Sequence, residues 1–413
     1  MFIKSRTRQN ITAFCSFIYI RQMAQSTSHE HFYVRFLIDK KKIPKGRKGE
    51  NDMLNDNYEF LAKNEEQFIE TIENYEKSGY WKKIDPINLF VVDTTEIDAS
   101  KFTDLGDIAA YKDTCENSGL YLSINGNEIP MGMSAMASYF QRNRIGGQVL
   151  REMRKEDLAD LLNLTIQYSK GLCLIRFAAG KVRAVLGGDE KDYSIIPQSN
   201  LFRGISEKLR ASYNTRFLRG SFDHYVSIET FLLFDDEMLK IYNDLVDDTR
   251  KAEKMFVTVV TSDTGCSGAN IAYGLITKGN KILPLGNQIK CEHNKSHTVD
   301  DVLNNVNMLF GTYKDAMDDF KKLETIEINH PNECIKNIMH RCGIGKKHIT
   351  GIIDYRNAFL GPDAEKKTTA KELYFDICQC LDYSVTKKQS QMIDLQERVS
   401  RCIGLDWTEF DVI

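Results

Sequence analysis

Cys291, Glu292, His293 and His297 form the densest ligand-like cluster in the chain. Zinc takes thiolate and imidazole donors in a tetrahedron. His293 and His297, four residues apart, would share one face of a helix. No His-Glu-x-x-His occurs, and the cluster precedes the helix cap expected at Thr298, so a polar loop is the plainer reading. A metal-dependent nuclease or hydrolase built on Cys291, His293 and His297 is one alternative function. A second group, Ser262, Asp263, Gly265, Cys266, Ser267 and Gly268, is a loop of small residues after a strand. It is not the G-x-S-x-G nucleophile elbow. Cys266 as a nucleophile would need a base such as His224 or His297 beside it. An anion-binding turn through Ser262, Asp263 and Gly265 fits this composition better than catalysis does, and a plain strand connection is the simplest reading. Neither G-x-x-x-x-G-K-[ST] nor G-x-G-x-x-G after a strand is present, so nucleotide binding of either common type is unsupported and no cofactor is expected.

The central region makes the strongest case for a macromolecular partner. Arg176, Lys181, Arg183, Lys191, Arg203, Lys208, Arg210, Arg216 and Arg219 lie within about 45 residues, with Tyr193, Phe202, Tyr213 and Phe217 interleaved. Arginine and lysine neutralise phosphates, and aromatic rings stack on unpaired bases. Arg176 and Arg183 fall on neighbouring expected strands, where they could share an exposed face. The expected nucleic-acid surface is Arg176, Lys181, Arg183, Lys191, Tyr193, Arg203, Lys208 and Arg210. Such a protein would anneal or protect single strands without a catalytic constellation. A structural or host-interaction role is the other alternative, and a homo-oligomer fits any of these.

The elements that must position these residues read as follows. An alternating run at 31–38 predicts a strand, and the basic segment 40–48 a loop. A helical pattern covers 55–77, closed by Gly79, and Leu89 to Val92 reads as a short buried strand. Asn125-Gly126 is a turn signal. Helices are expected at 134–144 and 155–169. The glycine break between them has the outline of a helix-turn-helix, although Leu150, Met153, Leu158, Leu161 and Leu162 are spaced to face a core. Strands follow at 172–178 and 181–186 around Ala179-Gly180, then a helix at 200–213 and strands at 224–234, 255–261 and 269–285. After His297 the chain reads as helices at 299–323, 331–341, 345–359, 367–382 and 386–403, with Thr298 to Asp301 a capping box. Strands do not alternate regularly with helices. The expected class is therefore α+β, with an antiparallel or mixed central sheet flanked by N-terminal helices and a helical C-terminal region. The expected divisions are an arm at 1–29, an α+β region at 30–135, a sheet-containing core at 136–297 and helices at 298–413.

From Phe140-Gln141-Arg142-Asn143-Arg144-Ile145-Gly146, through Leu174-Ile175-Arg176-Phe177, to Val182-Arg183-Ala184-Val185-Leu186-Gly187-Gly188-Asp189 and Tyr193-Ser194-Ile195-Ile196-Pro197, the order of features resembles the phage/plasmid-like protein family, also called domain of unknown function 932. Thr261-Ser262-Asp263-Thr264-Gly265, His297-Thr298 and the helical tail extend the likeness over about residues 136–404. Gly187-Gly188 stand where the family pattern has serine, Asp263 where it has glutamate, and its C-x-N-G is absent. The resemblance implies carriage on phages and plasmids, often among DNA-processing genes, and action in the host cytoplasm.

Composition sets the outer bounds. With 413 residues, 42% hydrophobic, the chain can bury one large core or two medium ones. A net charge of −3 gives no bulk attraction to nucleic acid, so any contact must be a local basic groove. The ten cysteines form no C-x-x-C and no regular framework, which suits buried thiols in a reducing compartment. No apolar run reaches the length of a membrane span, so no membrane partner is expected. Residues 1–29 carry Lys4, Arg6, Arg8 and Arg21, no acidic residue and an apolar stretch from Ile11 to Ile20. This reads as a targeting segment, an ordinary arm, or a surplus start upstream of Met23.

Overall fold

Six strands rich in β-branched and aromatic residues dominate the molecule. The computed structural model describes residues 53–189, 191–278, 281–294, 297–381 and 389–412, so the strand expected at 31–38 and the basic loop at 40–48 lie outside the described residues. Besides a short pair at Glu327–Ile328 and Thr368–Thr369, the strands are β1 (Glu59–Ala62), β2 (Tyr80–Ile84), β3 (Leu89–Asp93), β4 (Leu120–Ile124), β5 (Asn127–Pro130), β6 (Cys173–Ala178), β7 (Lys181–Gly187), β8 (Asn214–Asp223), β9 (Ser227–Phe234), β10 (Ala252–Thr261), β11 (Ala269–Thr277) and β12 (Ile282–Cys291). The large sheet runs β1-β8-β9-β10-β11-β12 and is antiparallel throughout. Its inner strands β9 and β10 are buried along nearly their whole length. Each carries an apolar run, Phe231 to Leu233 and Met255 to Val257, and buries polar residues as well, Glu229 and Thr230 in β9 and Thr258 in β10.

The first helix begins later than its pattern suggests. Residues 59–62 pair with β8, and Asn64 then caps α1 (Glu65–Lys77) by accepting from Gln67 N. The turn at Asn64 is what separates strand from helix, because its side chain satisfies a free N–H of the first turn. Helix α2 (Leu105–Glu116) precedes the β4–β5 hairpin, whose Asn125 and Gly126 both have positive φ. Then come α3 (Met133–Arg142), the single turn α4 (Val149–Glu152) and α5 (Lys155–Ile166). Leu150, Leu158 and Leu162 are buried, so the helix-turn-helix outline is a core-packing unit. Helix α6 (Gln198–Ser212) lies beside α1 against β8, and α7 (Asp236–Asn243) starts at an Asp235 cap.

Two three-stranded sheets, β2-β6-β7 and β3-β4-β5, share a second core with α3 and α5. A parallel bridge from Met131 to Val182 links them. The hairpin between β6 and β7 turns at Ala179 and Gly180, with φ of 47° and 73°, the twist a two-residue hairpin requires. Gly79 lets the start of β2 lie against β6: a Cβ there would sit 1.7 Å from Phe177 O.

The outer edge of β3 is closed by a side chain. Asn163 of α5 accepts from Val91 N at 2.7 Å and donates to Val91 O at 2.8 Å, as a neighbouring strand would. Asn163→Ala strips partners from a buried donor and acceptor, and the expected loss is about 2–3 kcal/mol. A denaturant midpoint that moves by less than a fifth of that would show that water replaces the amide.

The C-terminal part is helical: α8 (Val299–Val306), α9 (Leu309–Lys322), α10 (Pro331–Arg341), α11 (Lys346–Leu360), α12 (Ala370–Leu381) and α13 (Gln389–Ser400). The capping box of Thr298 and Asp301 is formed in both directions. The run expected at 299–323 is two helices, broken at residues 307–308. Helices α9, α12 and α13 pack on β12. The molecule is thus α+β, with a large antiparallel sheet and helices at both ends. No helix among the described residues is long and apolar enough to cross a membrane.

Candidate functional site

Strands β6 and β7 bring Arg176, Lys181 and Arg183 together, but inside the protein. They are 3%, 1% and 0% exposed. Lys181 Nζ bonds to Asp113 and lies 3.4 Å from Asp56 Oδ1. Arg183 Nη1 donates to Asp56 Oδ1 at 2.7 Å, and its Nη2 donates to Met53 O and Leu54 O at 2.9 and 3.0 Å. Asp56 Oδ2 also accepts from Met133 N at 2.9 Å, at the start of α3. Arg176 Nε donates to Asp263 Oδ2 at 2.9 Å, and the guanidinium lies 5.3 Å from the Tyr75 ring and 5.5 Å from the Trp81 ring.

Three buried cations therefore meet three carboxylates. A charge removed from water must be paired where it is buried, and these pairings leave no surplus positive charge for a phosphate. The exposed sheet face expected from Arg176, Lys181 and Arg183 is corrected accordingly. Strand β7 has α3 on one side and residues 53–56 on the other, so its alternation of basic and apolar residues never reaches solvent.

The remaining members of the expected surface are scattered. Lys191 is exposed. Tyr193 donates its hydroxyl to Ser262 O at 2.9 Å and stacks on His293 at 5.1 Å. Burial pushes its phenol well above the usual range. Arg203 and Arg210 do face outward from α6, but they pair with Glu73 and Glu65 of α1. Glu66, Glu70 and Glu76 lie on the same acidic helix. Lys208 donates to Leu303 O at 2.9 Å. No continuous basic groove joins these residues.

The loop after β10 closes on itself. Ser262 Oγ donates to Tyr225 O at 2.6 Å and accepts from Thr264 N and Cys266 N at 3.0 and 3.3 Å. Those amides would have held an anion, and Asp263 is already held by Arg176, so the anion-binding reading of Ser262, Asp263 and Gly265 is corrected. Cys266 has Thr264 as its hydroxyl neighbour, 3.4 Å from Sγ, and desolvation raises its thiol, the opposite of nucleophile activation.

The proposed metal ligands diverge. His293 Nε2 faces Thr261 Oγ1 at 3.0 Å and its Nδ1 faces Ser194 O at 3.1 Å. Desolvation lowers its pKa, so it stays neutral between these partners. His297 Nδ1 faces Glu292 O at 2.8 Å, and burial raises the Cys291 thiol. Among the described residues no group of three such side chains could hold a metal ion, which removes the Cys291, His293 and His297 centre.

What the sequence reading missed is the outer strand β2. Trp81 is half-buried beneath Arg176, while Tyr80, Lys82 and Lys83 are exposed. Tyr80 stacks one ring face on Phe177, with centroids 4.7 Å apart and planes at 23°, yet remains 57% exposed. Tyr80 and Lys82, two residues apart on a strand, share one face about 7 Å apart. Neither Lys82 nor Lys83 has an ion-pair partner among the described residues. Its one signal in the sequence is position: Tyr80-Trp81-Lys82-Lys83-Ile84 directly follows the glycine that ends α1.

No family model, no curated protein and no solved structure was found to match this chain.

Proposed function

We propose that the protein is a binding protein for single-stranded nucleic acid, with β2 as the contact. The observation that carries this reading is the exposed Tyr80 ring, held flat by Phe177, on the edge strand of a sheet, with Lys82 on the same face and Lys83 on the opposite one, neither in an ion pair among the described residues. An exposed ring with a fixed plane takes any base, and neighbouring ammonium groups take the phosphates. Between an overall charge of −3 and a contact of two lysines, binding is local and salt-sensitive. The resemblance to phage and plasmid proteins supports a setting in mobile-element DNA metabolism in the host cytoplasm, where strand annealing or protection needs no reacting group.

Fluorescence anisotropy with a labelled single-stranded oligonucleotide at low salt tests this. Tyr80→Ala is expected to weaken binding about 5- to 150-fold. Lys82→Ala with Lys83→Ala is expected to flatten the dependence of log affinity on log salt by about 1.4, or about 0.7 for each phosphate that a lysine no longer neutralises. Absence of wild-type binding at low salt, or binding indifferent to all three substitutions, would sink the proposal. The double variant should also be sized by chromatography, because an edge strand stripped of its lysines can pair with a second copy.

A further inference from the structure

The Sγ atoms of Cys342 and Cys402 lie 3.3 Å apart, although 60 residues separate them in sequence. Cys342 caps the C-terminus of α10, its N–H bonded to Ile338 O at 3.0 Å. Cys402 sits in the 3-10 turn Arg401–Gly404 that follows α13. Cys342 is 7% exposed and Cys402 0%, so Cys342 is the one nearer to solvent.

Both positions are fixed by their neighbours. The Trp407 indole donates to Cys402 O at 2.8 Å, and the Arg398 guanidinium donates to Gly343 O, one residue beyond Cys342. The pair is also electrically unequal. The hydrogen bond between the two thiols, with Arg401 and Arg341 nearby, holds the Cys342 thiol below its usual range against the opposing effect of burial. The same hydrogen bond, with burial, pushes Cys402 up. Cys342, the less buried sulfur, is placed to attack and Cys402, fully buried behind it, to resolve.

We infer that Cys342 and Cys402 form a modification site, a dithiol that hydrogen peroxide converts to a disulfide joining α10 to the turn after α13. The Cys342 thiolate attacks one peroxide oxygen; the O–O bond breaks, hydroxide leaves and Cys342 becomes a sulfenic acid. The Cys402 sulfur attacks Cys342 Sγ; the S–O bond breaks and the oxygen leaves as water, taking the Cys402 proton. In total two thiols are oxidised and one peroxide is reduced to two waters. The sulfurs must close from 3.3 Å to about 2.05 Å. That is a short movement for a helix cap and a single turn.

The experiment treats the reduced full-length chain with peroxide and maps its digest by mass spectrometry. A linked pair of peptides carrying Cys342 and Cys402, lighter by two hydrogens and separated by dithiothreitol, is expected. The melting temperature should rise by a few degrees, because the bridge closes a long loop in the unfolded chain. In Cys402→Ser, a sulfenic-acid probe such as dimedone should label Cys342. In Cys342→Ser, it should leave Cys402 unlabelled. The inference is overturned if both thiols of the treated wild-type chain remain open to alkylation, if the linked peptide joins Cys402 to another cysteine, or if the probe prefers Cys402. The wild-type digest decides the matter even if either serine variant fails to fold.

Discussion

Replacing Asp56 with alanine is expected to destabilise the fold by about 3–5 kcal/mol. One carboxylate holds Arg183 Nη1, faces Lys181 Nζ and accepts from Met133 N. Its removal leaves Arg183 buried with only backbone carbonyls, and Lys181 with Asp113 alone. The loss should appear as a lower urea midpoint at unchanged slope. Adding Arg183→Met to the Asp56→Ala chain should recover part of it, because the stranded cation goes too, and a double-mutant cycle separates the shared part. A loss under about 1 kcal/mol would mean that the interior admits water to these charges, and the closed network would not exist in solution.

The pH dependence of stability should be governed by Glu229. It lies on β9 between Gly220 of β8 and Val259 of β10, fully buried, and neither carboxyl oxygen has a hydrogen-bond partner among the described residues. Burial is the main cause that raises its pKa to about 9; Glu65 of α1 adds to the rise and Arg210 of α6 opposes it. In the unfolded chain the same group ionises near 4.3. Below that value both states are protonated and the site is neutral to folding. From there up to about pH 9 only the unfolded state releases the proton, so stability falls by about 1.4 kcal/mol per pH unit, then levels off. Glu229→Gln keeps the shape of the protonated acid and removes the titration. Between pH 5 and pH 8 the variant should therefore gain about 4 kcal/mol relative to the parent. Parallel curves for the two proteins across that range would show that the carboxyl is already ionised in the folded state.

Much of the fold was legible because it depends on short-range patterns. Ala179-Gly180 and the box at Thr298 are local devices, and each is where the sequence puts it. Strand β8 was not read, since Asn214 to Asp223 mixes arginine, glycine and serine and takes its conformation from β1 and β9. The candidate site was misread for a related reason. Arg176, Lys181 and Arg183 have the spacing of an exposed strand face, and nothing near them says otherwise. Their partners Asp56, Asp113 and Asp263 lie between 68 and 127 positions away. Glu229 is hidden in the same way, because a single carboxylate in a strand is normally its wet side. Tyr80, Lys82 and Lys83 were a different failure: five residues after a helix-ending glycine are too few to show a strand's alternation by themselves.

The segment at 53–56 carries a consequence for how the chain can be made. Met53, Leu54 and Asn55 offer carbonyls to Arg183 and His224, and Asp56 offers its carboxylate, across separations of 125 to 169 residues. At ribosomal rates of about 5–20 residues per second, this stretch would be synthesised about 6 to 26 seconds before Lys181 and Arg183, the cations it neutralises. Lys181 and Arg183 thus leave the ribosome with their counter-ions already waiting, and neither has to enter the interior alone.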